Sequence, residues 1–158
     1  MKRHAGLAQW SREHHQALVL AKQARAAMTL GSSEAAALIA KALRVFRREL
    51  EPHFVAEEAR LLPALIAAGA CSASERVRAE HDTMRGTIGR LEDGGNVGML
   101  VSFGEQLTAH VRFEERELFP LAESLLASAT LDALAEDPDA TARGSNNHLV
   151  SDHNQELP

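Results

Sequence analysis

Tyrosine is absent from this 158-residue chain, and cysteine occurs once, at Cys71. A single cysteine excludes an intrachain disulfide framework and a thiolate-rich zinc or iron–sulfur cluster; between two helical segments, Cys71 reads as a small loop residue. Aromatic residues make up only 4% of the chain, so packing has to come from aliphatic faces, and the abundant alanine and leucine favour helix. No stretch approaches the roughly 18 apolar residues of a membrane span. The opening MKRHAGLAQW is followed by no apolar run of the signal-peptide kind. A cytoplasmic protein without a membrane partner is therefore expected. Nor does any basic tract offset the net charge of -5, from 22 acidic and 17 basic residues, which argues against a nucleic-acid partner. KALRVFRREL, residues 41–50, gathers basic side chains but includes Glu49 and runs into Glu51, and reads as a solvated helix face.

What the chain does have is amphipathic helix. Its 45% hydrophobic content suffices for one domain with one core. A first helix is expected over about 6–29, with Leu7, Trp10, His14, Ala17, Ala21, Ala24 and Met28 on its inner face. Gly31 ends it, and Ser32 or Ser33 caps a second helix over about 34–67, kinked by Pro52 and closed by Gly69. Ser72-Ala73-Ser74-Glu75 reads as a capping box for a third helix, whose inner face carries Val77, His81, Met84, Ile88 and Leu91. After the turn Asp93-Gly94-Gly95-Asn96, a fourth helix covers about 97–118 and bends on past Pro120, with a short helix near 131–135. The expected fold is all-α: an antiparallel up-down four-helix bundle over residues 1–136, followed by a polar flexible tail over 137–158.

One phrase is written twice. HFVAEEARLLPAL begins at His53, and HVRFEERELFPLA begins at His110. Ala79-Glu80-His81 likewise echoes Arg12-Glu13-His14, so a two-helix hairpin used twice, with approximate internal twofold symmetry, is expected. His and Glu four residues apart share a helix face, which pairs His53 with Glu57 and His110 with Glu114. His14 and His81 also interrupt apolar stripes. Burying carboxylates in a dry core costs several kcal/mol each, and converging carboxylates repel, unless a cation resolves both problems. Imidazole with carboxylate suits iron and tolerates zinc, manganese or cobalt. Four imidazoles and two carboxylates exceed one ordinary zinc site, but they serve two irons if Glu57 and Glu114 bridge them.

Taken singly, a His on an apolar stripe is more often a hydrogen-bonded core residue, and Glu four residues after it also simply stabilises helix; the metal reading rests on the whole constellation. His14 matches His81 and is preferred to His15, whose face carries Ser11 and Lys22, but both remain candidates. Glu58 and Glu115 read as outer-layer or surface groups. Arg60, Arg85, Arg112 and Arg116 read either as charge partners of the site or as solvated side chains. His4, His148 and His153 fall near the ends of the chain.

REHHQAL (12–18), HFVAEEARLLP (53–63), AEHDTMR (79–85) and HVRFEERELFP (110–120) together resemble the hemerythrin-like family, or HHE cation-binding domain. That resemblance implies a four-helix bundle around a non-haem, usually di-iron, centre with His14 (or His15), His53, Glu57, His81, His110 and Glu114 as ligands and the glutamates as bridges. Oxygen-carrying hemerythrins place a second His one turn after the first on helix three; here that position is Arg85, which argues against the carrier role and for open metal positions. With no phosphate loop, nucleophile or organic cofactor motif, any catalysis is the metal's own. The expected function is to bind, sense or reduce a small oxidant (oxygen, peroxide or nitric oxide). The alternative is an iron-dependent regulatory or iron-handling protein with little or no turnover, with a protein partner the sequence does not identify.

Overall fold

The computed structural model describes residues 3–135, and every regular element among them is helical. The expected tail lies outside the described residues. Helix α1 spans Ala5–Arg25 and passes through a 3₁₀ turn, Ala27–Thr29, to α2, a continuous helical run over 32–67. Helix α3 covers Cys71–Glu92, α4 covers 97–125, and a short α5 covers Ser128–Ala135. Helix α1 packs along α4, α3 along α4, and α2 touches both α1 and α3, which makes a helical bundle with α5 laid across α1. Where α1 meets α4, a Cβ on Gly104 would sit 2.8 Å from the Ala21 carbonyl oxygen, so only glycine permits that approach.

Several boundaries differ from expectation for local reasons. The cap of α2 is Gly31, whose N–H donates to Glu34 Oε2 at 3.1 Å, rather than Ser32 or Ser33. Helix α3 starts at Cys71 without a side-chain cap, and the Ser72–Glu75 capping box does not form: Ser74 donates instead to the Ala70 carbonyl. Cys71 is thus an exposed first helical residue, not a loop residue. Met28, expected inside, is 69% exposed because α1 has already ended before it. Gly69 closes α2 at φ +90°, a conformation that favours glycine, as expected.

The prolines are accommodated by widening the helix. Proline cannot donate a hydrogen bond, and its ring crowds the carbonyl four residues back. Ahead of Pro52, Pro63 and Pro120 stand five-residue π-turns, Phe46–Leu50, Glu57–Leu61 and Glu114–Leu118, each closed by an N–H reaching five residues back. The kink expected at Pro52 takes this form. Two of the π-turns begin on Glu57 and Glu114. The extra residue shifts the apolar stripe by one position, which lets both Leu61 and Leu62, and both Leu118 and Phe119, lie fully inside.

The interior has two apolar clusters with a polar layer between them. Leu50, Phe54, Met84, Phe103 and Leu107 belong to one, and Leu7, Trp10, Leu61, Val77 and Phe119 to the other. His14 lies between Trp10 and Ala17, and His81 between Val77 and Met84, so each helix passes from one cluster to the other through a histidine.

Candidate metal centre

The polar layer is built from six side chains. His14 comes from α1, His53 and Glu57 from α2, His81 from α3, His110 and Glu114 from α4. Both glutamates are 0% exposed, and none of the histidines exceeds 6%. They form two groups, His14, His53, Glu57 and Glu114, then Glu57, His81, His110 and Glu114, whose ligand atoms within each group lie within 4.8 Å of one another. The glutamates are common to both. His15 is exposed and belongs to neither, so the structure brings His14 and not His15 to the layer.

Each imidazole is fixed by a carboxylate from a neighbouring helix. The Nδ1 atoms of His14, His53, His81 and His110 lie 2.7, 2.7, 2.8 and 2.9 Å from oxygens of Glu115, Glu13, Glu58 and Glu80 respectively. An ionised carboxylate only accepts, so each Nδ1 carries the donated proton and each Nε2 turns inward. Beyond them, Arg3 pairs with Glu115 and Arg85 with Glu58, both at 2.8 Å, while Gln9 donates to Glu13 and Arg76 to Glu80. Arg85 is therefore a charge partner, spanning Glu51 and Glu58; Arg112 and Arg116 are exposed, and Arg60 reaches the Ala133 carbonyl. His4 caps α1 through Gly6 N–H, away from the layer, and His148 and His153 lie outside the described residues.

Inside this frame the donors face one another with nothing to share. His14 Nε2 stands 3.1 Å from His53 Nε2, and His81 Nε2 stands 3.2 Å from His110 Nε2. No oxygen of Glu57 or Glu114 has a hydrogen-bond partner in bonding geometry, although imidazole nitrogens approach to 3.0–3.4 Å. Burial works against charge on His14, but Glu114 and Glu115 outweigh it and raise its pKa to about 9. Burial likewise opposes charge on His53, but Glu57 and Glu13 carry it to about 10. His110 is raised in the same way, against burial, by Glu114 and Glu80. For Glu57, burial pushes upward, and His53 and His81 bring it well below the usual carboxylate range. Both His14 and His53 are thus held toward the protonated state, yet only one proton fits between their facing nitrogens.

A cation removes that conflict. Two nitrogens bound at right angles to one metal, at about 2.1 Å each, lie about 3 Å apart, which matches both Nε2 pairs. The donor set of neutral imidazole plus carboxylate suits a first-row transition metal. The outer carboxylates supply the arrangement that orients metal-bound imidazole and raises its basicity. Glu58 and Glu115 fill the outer-layer role that the sequence suggested. Glu13 and Glu80 were missed, although a Glu directly before each of His14 and His81 was the visible signal.

No curated protein and no solved structure matches the chain significantly. A family model does: the hemerythrin HHE cation-binding domain, over residues 5–122, a span that holds all six inner side chains and all four outer carboxylates. On that match, and with the cation-ready geometry inside it, the chain belongs to the hemerythrin HHE cation-binding family.

Proposed function

We propose that this chain is a non-haem di-iron protein that binds, senses or reduces a small oxidant such as oxygen, a peroxide or nitric oxide. The observation that carries the reading is the convergence of four inward Nε2 atoms on four carboxylate oxygens that lack partners. In this reading His14 and His53 hold one iron, His81 and His110 hold the other, and Glu57 and Glu114 bridge them, with zinc or manganese able to substitute. Each iron would supply one-electron redox chemistry. The chain's own part is to hold every imidazole by its Nδ1–H and keep Nε2 free as a donor in a layer between two apolar clusters. An antiparallel up-down order of α1 to α4 belongs to the same proposal, supported by the short connections between consecutive helices.

Metal content of protein purified without oxygen tests the reading: two irons per chain are expected, and a correctly folded chain that retains none would end it. A second reading, iron-dependent regulation or iron handling with little turnover, draws on the complete burial of Glu57 and Glu114, which ties metal occupancy to stability of the fold. Rapid consumption of peroxide or oxygen by the ferrous protein favours the first reading. A large rise in melting temperature without consumption favours the second.

A further inference from the structure

The internal repeat pairs each residue around one half of the layer with one around the other, and at two of these positions the pairing is unequal. Aligned on His14 and His81, Ala17 corresponds to Met84. Aligned on His53 and His110, Ala56 corresponds to Phe113. Met84 and Phe113 are both buried. On the other flank the two alanines leave a pocket of about 340 Å³ that runs in to His14 and His53 and is bounded by Trp10, Leu50 and Pro52 as well.

That volume is about ten times the roughly 30 Å³ of a water-sized ligand, and it reaches the range of small-molecule sites. Its walls are mostly carbon. Its outer polar lining is Gln16, Arg48 and Glu49, all exposed, together with Glu13, which His53 and Gln9 already engage. The buried polar groups in its lining are His14 and His53 of the layer. A neutral molecule with an apolar body and an oxygen-donor end fits such a space; an ion, or a bare diatomic, leaves most of it unused.

We propose that this pocket is the binding site of an alkyl hydroperoxide, received from the His14–His53 flank with its hydroperoxide end toward the metal centre and its carbon body against Trp10, Ala17 and Ala56. This rests on the di-iron reading above and adds a ligand class and a direction of approach to it. Trp10 is the chain's one tryptophan and lines the pocket, so it reports occupancy without turnover. In zinc-loaded protein, where no electrons transfer, cumene hydroperoxide should change Trp10 fluorescence saturably, and hydrogen peroxide should not compete at equal concentration. Ala56→Phe, which places on this flank the side chain found on the other, should weaken that binding about tenfold or more while metal content and helicity hold; Ala56→Leu gives a partial block should the larger ring disturb folding. Two metals with no saturable response, or a response both variants leave unchanged, overturns the pocket and leaves the di-iron reading standing. A folded protein that takes up no metal yet binds the probe overturns the di-iron reading and, with it, the assignment of the hydroperoxide end.

Discussion

His14 and His53 stand beside an open pocket, whereas His81 and His110 stand under packed side chains. Phe54 stacks on the His81 ring with centroids 3.9 Å apart, and the bulky Met84 and Phe113 are buried where the open side has Ala17 and Ala56. On the open side Phe119 stacks on His14 at 5.3 Å, and Val111 takes the place that Phe54 has on the other. Support from outside differs as well. Arg85 and Arg76 back the outer carboxylates of the closed half; Arg3 and the neutral Gln9 back those of the open half. The repeat gives two matching His/Glu groups that could each hold a metal, and the side chains around them set how each is reached and how strongly it donates. One half is arranged as a closed anchor and the other as an accessible face.

The comparison breaks most severely at the residues both halves share. If the proposed di-metal centre is right, Glu57→Gln or Glu114→Gln removes a charge that balances metal on each side, so either variant should lose both metals, whereas His53→Ala or His110→Ala should lose chiefly one. Metal counted per folded chain checks this. If Glu57→Gln cost only one metal, the glutamates would serve separate halves and the equivalence would be false.

Proton competition comes next in size. His14 and His53 are raised from an ordinary 6.5 to about 9 and about 10. A pKa raised by folding adds stability that is complete below the unfolded value and is lost as pH climbs through the folded one. The metal-free protein should therefore lose melting temperature between about pH 6.5 and pH 10. Metal displaces the Nε2 proton, so affinity for the open half should rise over the same window, with protons released on binding. Chelator competition and proton release in weak buffer read both directions. Affinity that falls with rising pH in the absence of metal hydroxide would contradict the assignment.

Much of this was legible in the sequence because helical spacing is local. The repeated His-x-x-x-Glu phrase put His53 with Glu57 and His110 with Glu114 on shared faces, and the echo before His81 favoured His14 over His15 while leaving both open; in the fold His14 is buried and His15 exposed. What was not legible depends on neighbours in space. Glu13 serves His53 on the next helix and Glu80 serves His110, so their position beside His14 and His81 gave no hint of the partner. Arg85 could be read as solvated until Glu51 and Glu58 were seen on either side of it. The π-turns at Glu57 and Glu114 escape pattern reading because adjacent buried pairs such as Leu61-Leu62 fit no single α-helical stripe.

A smaller effect is expected from the outer carboxylates. Replacing such a group costs metal affinity about 10–100-fold. Glu58→Gln should weaken the closed half and Glu13→Gln the open half, each leaving the other metal in place. Stepwise metal titration separates the two. Glu58→Gln also strands Arg85, which keeps Glu51 as a partner, so its cost should fall in metal affinity more than in fold stability.

The finest distinction lies one layer further out, where Gln9 and Arg76 occupy equivalent positions. Gln9 gives Glu13 a neutral hydrogen bond at 2.7 Å, and Arg76 gives Glu80 a charged one at 2.8 Å. A cation behind a carboxylate draws charge away from it, so Glu80 pulls less on the His110 Nδ1–H and leaves Nε2 a poorer donor. Arg76→Gln should then tighten metal in the closed half, and Gln9→Arg should loosen it in the open half. Both positions are exposed enough for solvent to screen them, so each change should be roughly threefold, the scale of a surface charge pair. Arg76 also lies over the Phe113 ring, 3.6 Å from its centroid, and its loss uncovers that ring. Salt separates the two causes: an electrostatic effect shrinks as ionic strength rises, whereas one from the uncovered ring does not, and only the first would mean that the two halves differ in donor strength.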